Sequence, residues 1–175
     1  MGCGEDYRPG YLNMDAFPYK GVDLVADFMT HNFPENTFDE ILAKDILEHV
    51  YYADAKRMIR RCLRWLKPGG VLVIHTTNTP YIAGQLASGG DYTDDFHLEL
   101  LKWMYGTTPA GEDTSSYRCH YWGYSRESLS KIMEQIGYRV VDASITCNGF
   151  GLLVIGEKRC DGEFSGWIIE KESQF

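Results

Sequence analysis

No apolar run in the 175-residue chain approaches the ~20 residues that a membrane-spanning helix needs. The opening Met1-Gly2-Cys3-Gly4-Glu5-Asp6 lacks the basic and apolar pattern of a secretory leader, so a cytoplasmic protein is expected. Basic residues are the minority: 17 Lys and Arg against 25 Asp and Glu leave a net charge of −8. That balance argues against broad electrostatic binding to nucleic acid or to an anionic membrane. No CxxC pair occurs. Cys3, Cys62, Cys119, Cys147 and Cys160 are odd in number and widely spaced, which indicates reduced thiols and not a disulfide framework. Cys119 and His120 are neighbours, but adjacent residues on a strand point apart and no second pair accompanies them, so no metal is expected. Internal repeats and low-complexity stretches are also lacking.

What remains is an ordinary globular composition, 44% apolar and 24% charged. A single domain of this length buries roughly 70% of the surface its unfolded chain exposes, without help from disulfides or metal. Short strands are expected at Tyr11–Asp15, Val22–Ala26 and Phe38–Ala43. A helix follows, with Ala55, Met58, Ile59, Cys62, Leu63 and Leu66 at i, i+3, i+4 spacing. Asp54 is its expected N-cap and Lys67-Pro68-Gly69-Gly70 its stop. Lys56, Arg57, Arg60, Arg61 and Arg64 form the opposite face, read as a solvated surface and not a nucleic-acid patch. Val71–His75 is the next strand. After a long insert, a helix at Arg126–Ile136 starts at Ser125 and ends at Gly137, and strands at Tyr138–Ile145 and Leu152–Glu157 form an antiparallel hairpin. This order predicts an α/β, Rossmann-like, mainly parallel sheet flanked by helices. The domain is expected to span residues 1–160, with an insert at 76–124 and a tail at 161–175.

The chemistry-bearing signal is Gly2-Cys3-Gly4 followed by Asp15, and then Asp27, each at a strand end. Open α/β sheets bind nucleotide-like ligands at the C-terminal strand ends, where glycine lets the backbone come close and a carboxylate can hold both ribose hydroxyls. A GxG alone is a weak signal, and the bland alternative makes both aspartates turn residues.

A longer ordered series resembles the class I S-adenosylmethionine (SAM)-dependent methyltransferases. It comprises Gly2-Cys3-Gly4, Pro9-Gly10-Tyr11, Asn13-Met14-Asp15, Val22-Asp23-Leu24-Val25-Ala26-Asp27, Phe33-Pro34-Glu35-Asn36-Thr37-Phe38-Asp39-Glu40-Ile41, Leu47-Glu48-His49-Val50 and Leu66-Lys67-Pro68-Gly69-Gly70. Within that family it looks like a subgroup with a Gly-Cys-Gly, Pro-Gly-Tyr, Asn-x-Asp opening and a Leu-Glu-His block. The resemblance implies SAM as cofactor. Gly2, Cys3 and Gly4 would then line its methionine and ribose portions, Asp15 would hold the ribose, and Asp27 and Phe28 would flank the adenine. Lys44 and Asp45 would border the methionine end, Asp45 either pairing with the amino group or facing the acceptor. His49, one turn on, would share a face with Asp45.

Two departures from the family pattern set expectations. Residues 5–10 are too few for the usual crossover helix, which predicts a more open cofactor site. The family's central first strand has no counterpart before Gly2, so it lies upstream, is replaced by another segment such as Trp167-Ile168-Ile169, or is missing. The insert is rich in aromatics (Tyr81, Tyr92, Phe96, Trp103, Tyr105, Tyr117, Tyr121, Trp122, Tyr124) and carries Asp91, Asp94 and Asp95. It should lie above the strand ends and face a small-molecule or glycan-like acceptor, although most of its rings are expected to pack. His49, His97 and His120 are the candidate catalytic bases; His31 and His75 rank lower, His75 being expected to pack or face solvent at its strand end. The competing readings are an inactive methyltransferase-like binding module and a nicotinamide-dependent Rossmann enzyme.

Overall fold

The computed structural model describes residues 1–89, 94–107 and 118–160. The expected positions Asp91, Tyr92, Tyr117 and the tail with Trp167 lie outside them. Two very short parallel strands, β1 (Met14–Asp15) and β2 (Leu24–Val25), make one sheet. A four-stranded sheet has the order β3 (Phe38–Lys44), β4 (Leu66–Thr77), β6 (Gly151–Lys158), β5 (Tyr138–Thr146). β3 and β4 pair in parallel, and β4–β6 and β6–β5 pair antiparallel, so the C-terminal hairpin forms as expected. Helices α1 (Tyr52–Trp65) and α4 (Arg126–Ile136) cover the sheet, and the insert contributes α2 (Thr79–Ala87) and α3 (Asp95–Tyr105). Among the described residues no helix is long and apolar enough to cross a membrane.

The strand expected at Tyr11–Asp15 shrinks to two residues. The Asn13 side-chain amide donates to the carbonyls of Arg8 and Tyr11, holding that stretch in a turn. Between the two sheets stands the chain start. The Met1 ammonium donates to the Leu42 carbonyl of β3 at 2.8 Å, and the Cys3 amide donates to the Met14 carbonyl of β1 at 3.1 Å. Residues 1–3 thus bridge the place where the expected central strand would run.

Helix α1 buries Ala55, Met58, Ile59, Cys62 and Trp65 against the sheet, the face its periodicity indicates. Each large apolar side chain so buried stabilises the fold by roughly 1.5–3 kcal/mol. Burial also pushes the Cys62 thiol up to about 12, so it is an inert core group. The N-cap expectation is corrected: the helix begins three residues earlier, after Tyr51, and Asp54 sits in its first turn paired with Arg57 at 2.9 Å. Stacking of Tyr51 on Tyr121 and of Tyr52 on Trp122 ties this helix start to the insert. The basic face is largely used internally. Arg64 pairs with Glu35, Arg61 donates to the His31 carbonyl and lies over Trp65, and Lys56 lies over Tyr52.

The Leu66-Lys67-Pro68-Gly69-Gly70 block belongs to β4, not to a helix stop outside the sheet. Its register against β3 is irregular between Phe38 and Glu40, and a Cβ at Gly70 would come within 3.0 Å of the Asp39 carbonyl oxygen. Helix α4 starts at Ser125 and stops at Gly137 as the sequence indicates. The two ends of the insert are tied together by the Asn78–Tyr124 bridge. Trp103 and Tyr81 pack on Phe150, so those aromatics serve packing.

Candidate functional site

The site begins at the glycine turn. Gly2 has φ +58°, and a Cβ there would stand 2.5 Å from the Ile46 side chain, so only glycine lets the turn approach the end of β3. The Gly4 amide donates to Asp15 Oδ2 and the Phe17 amide to Asp15 Oδ1, both at 2.9 Å. Asp15, buried at the end of β1, therefore holds the loop, and each carboxylate oxygen keeps a second lone pair.

Gly2, Cys3, Lys44 and Asp45 line one cleft of about 180 Å³, together with Asp6, Arg8 and Tyr11 from the short helix-free connection. Pre-formed ligand pockets are typically ~300–1,000 Å³. This cleft is smaller than that range. Asp6 pairs with Arg8 at 3.1 Å and Lys44 at 3.4 Å, and its carboxyl is held below the usual range, first by the Arg8 hydrogen bond. Burial and the Asp15 charge raise the Cys3 thiol, which stays protonated at neutral pH. Asp27 and Phe28 do not line the cleft. Asp27 Oδ1 accepts from the Met29 amide at 2.8 Å in a turn, and Phe28 packs against the core.

β3 ends at Lys44, and Asp45 takes a left-handed conformation at φ 52°. After Ile46, Leu47–His49 form a single 3-10 turn. Asp45 and His49 therefore do not share a helical face. Asp45 Oδ1 meets His75 Nδ1 at 2.8 Å beside the cleft, whereas His49 turns toward the insert. His75 is thus bound into the site, through Asp45 on one side and Thr146 on the other (Nε2–Oγ1 3.0 Å).

On the insert side, the Tyr121 amide donates to the Glu48 carbonyl at 2.7 Å and brings residues 119–121 against the turn. His49 Nδ1 lies 3.1 Å from the Cys119 carbonyl, and His120 Nδ1 lies 3.0 Å from the Trp103 carbonyl of α3. A carbonyl can only accept, so each Nδ1 carries the proton and each neutral ring presents a bare Nε2 lone pair. The two rings meet edge to face, 4.7 Å between centroids. Desolvation lowers both pKa values below the usual histidine value.

Glu48, 1% exposed, accepts from Thr76 Oγ1 at 2.8 Å, and burial pushes its carboxyl up to about 7. One donor atom from each of Glu48, His49 and His120 lies within 4.8 Å of the other two. Such spacing would let one cation reach all three. His97, the third candidate, is buried in α3, with its ring and its backbone amide both bound to the N-cap Asp94 at 2.8 Å. The structure brings it to neither the cleft nor the histidine pair.

Glu48, Thr76, His75 and Thr146 had no assigned role in the sequence. Glu48 sits inside the recognised Leu-Glu-His block, which was the one available signal. His75 and Thr76 are consecutive on β4 and face opposite ways, one holding Asp45 and the other Glu48.

A glycine turn and carboxylates gathered at the C-terminal ends of parallel strands define a Rossmann-like α/β protein of the nucleotide-cofactor type. Residues 1–143 match the family model described as a methyltransferase domain, and the chain belongs to that family. Over 48 residues, 27% of this chain and 18% of the relative, it is 40% identical to phosphoethanolamine N-methyltransferase of Plasmodium falciparum. Over 100 residues, 49% of this chain and 41% of the relative, it is 35% identical to a ubiquinone biosynthesis O-methyltransferase of Xanthomonas oryzae. The chain therefore spans less than half the length of these relatives. A SAM-dependent methyltransferase structure from Methanosarcina mazei shares the fold at TM-score 0.56 and 17% identity, covering 87% of this chain and 73% of that one. So does a Burkholderia thailandensis 1,6-didemethyltoxoflavin-N1-methyltransferase, at TM-score 0.55 and 13% identity, with 84% and 60% covered.

Proposed function

We propose that the chain carries a SAM-dependent methyl transfer to a small polar acceptor, with His49 and His120 as the proton-accepting pair. The observation that carries this reading is the pair of imidazoles whose Nδ1 protons are both committed to backbone carbonyls, one short turn from a cleft floored by Gly2 and Asp45. We place the chain with the methyltransferase subgroup whose opening runs Gly-Cys-Gly, Pro-Gly-Tyr, Asn-x-Asp. Its likeness to a phosphoethanolamine N-methyltransferase and to a ubiquinone biosynthesis O-methyltransferase supports a small-molecule acceptor.

The residues present fit the cofactor. Asp15 and Gly4 lie behind the lining of the cleft, Asp15 keeping lone pairs for ribose hydroxyls, while Gly2 and Cys3 line it and allow close backbone approach beside Lys44, Asp45 and Arg8. Asp27 and Phe28 bound the open adenine side. SAM supplies a methyl group already activated on a sulfonium. The chain has to align the acceptor, exclude water and take a proton. A bound SAM would supply the methyl carbon to an acceptor oxygen or nitrogen, with its thioether as leaving group. The proton released by the acceptor would pass to Nε2 of His49 or His120, whose Nδ1 protons are held by carbonyls. The aromatic pairs Tyr51–Tyr121 and Tyr52–Trp122 border this mouth, with Tyr51 62% and Trp122 48% exposed. Such faces suit a glycan-like ring or a cationic acceptor. His97, bound to the N-cap Asp94, has no part in this scheme. The small cleft also favours a second reading, a methyltransferase-like binding module without turnover.

Titration calorimetry separates these. SAM is expected to bind at micromolar affinity, at least tenfold weaker in Asp15→Ala and unchanged in His49→Gln. The latter variant loses turnover by about 10²–10⁴-fold. Turnover is expected to survive dialysis against EDTA, because no step in this scheme requires a cation. SAM binding without methylation of any small hydroxyl or amine acceptor favours the binding module. Preference for NAD points to the nicotinamide enzyme.

A further inference from the structure

We infer that His75, backed by Thr146, is a positioning residue that aims the Asp45 carboxylate at the ammonium of the cofactor's amino-acid end. The inference rests on the SAM reading above and assigns His75 and Thr146 a task in it.

Asp45 is not held by its own backbone. It is a non-glycine residue at φ 52°, a left-handed conformation that persists only where surroundings impose it. Its amide donates to the His75 carbonyl at 2.9 Å, and its Oδ1 faces His75 Nδ1 at 2.8 Å. One residue of β4 thus grips both ends of Asp45. The carboxylate side chain is 50% exposed and opens on the cleft, whereas the His75 side chain is 17% exposed and sits behind it.

His75 is fixed in turn. Its Nε2 lies 3.0 Å from Thr146 Oγ1, at the end of β5. With Nδ1–H donating to Asp45, Nε2 accepts the threonine hydroxyl proton, and a single tautomer satisfies all three groups. Gly151, opposite Thr146 on β6, leaves the room. A Cβ there would stand 2.3 Å from Thr146 Oγ1 and 2.8 Å from His75 Nε2. Three strands of the main sheet converge on one exposed carboxylate at the cleft, a greater investment than a surface ion pair needs. A carboxylate held this way, opening on the cleft, is suited to an ammonium.

The test compares two probes by calorimetry: SAM, and 5′-methylthioadenosine, which keeps the nucleoside and thioether but lacks the amino-acid end. His75→Ala is expected to weaken SAM about fivefold to tenfold and to leave 5′-methylthioadenosine within twofold. His75→Asn, which restores a donor toward Asp45, recovers most of the loss. Thr146→Val weakens SAM about twofold to threefold. The double variant Asp45→Ala/His75→Ala is no weaker than Asp45→Ala alone. Equal weakening of both probes in His75→Ala shows a merely structural role and overturns the proposal, as does unchanged SAM affinity. A wild-type chain that binds neither probe defeats the cofactor reading itself.

Discussion

Glu48 concentrates the physical tension of the site in one side chain. It is buried with a threonine hydroxyl as its side-chain partner, and it titrates near 7 instead of 4.5. Its folded pKa is raised, so its contribution to stability is full below about pH 4.5 and is lost as pH rises to about 7. The shift corresponds to about 3 kcal/mol. Glu48→Gln keeps the acceptor for Thr76 and removes the titration. The stability of the variant relative to the wild type is therefore expected to rise by about 3 kcal/mol between pH 4 and pH 8, measured by urea unfolding. A difference between the two chains that does not change with pH would show that the carboxylate titrates normally. Neither this burial nor the tautomers of His49 and His120 can be read from the sequence. Each depends on a carbonyl or hydroxyl far along the chain: Thr76 for Glu48, Cys119 for His49.

At the scale of elements, legibility follows the range of the determining interactions. Helix α4 was readable from end to end because its signals are local: an apolar stripe at Leu129, Ile132 and Met133, a serine before it and a glycine after it. Ser125 Oγ accepts from the Ser128 amide at 3.0 Å while Ser128 Oγ accepts from the Ser125 amide at 2.9 Å. Ser125→Ala is expected to cost about 1 kcal/mol in thermal or urea unfolding, and Ser125→Asp to recover most of it. The start of α1 was misplaced for the converse reason. Asp54 is the better capping residue by type, but stacking against Tyr121 and Trp122, some seventy residues away, accompanies a start after Tyr51. The Lys-Pro-Gly-Gly block reads locally as a stop, yet its carbonyl-crowded Gly70 is what lets β4 lie against β3.

Among the described residues, the two sheets share no strand pairing. β1 and β2 are two residues each, and residues 1–3 link them to β3 by one hydrogen bond on either side. The main sheet, by contrast, carries the apolar core under α1 and α4. Local opening should therefore be cheapest around β1 and β2. In hydrogen exchange, the Leu24 and Ala26 amides, bonded to the Asn13 and Asp15 carbonyls, are expected to exchange well before those of β4 and β6. Saturating SAM should slow them, because the glycine loop and Asp15 belong to the same unit. Protection unaffected by SAM would place ligand binding elsewhere.

The sequence by itself determined the α/β class, the two covering helices, the hairpin and the glycine turn. Periodicity, caps and turn residues act over a few positions, and the ordered motif series carried the family. Tertiary structure alone decided the site. It set His120 against His49, turned Asp45 away from His49 toward His75, and left Gly4, Asp15, Asp27 and Phe28 outside the cleft lining, while His97 is bound locally to the N-cap Asp94. The contacts of His49 and Asp45 reach partners thirty to seventy residues along the chain. No local spacing encodes that distance.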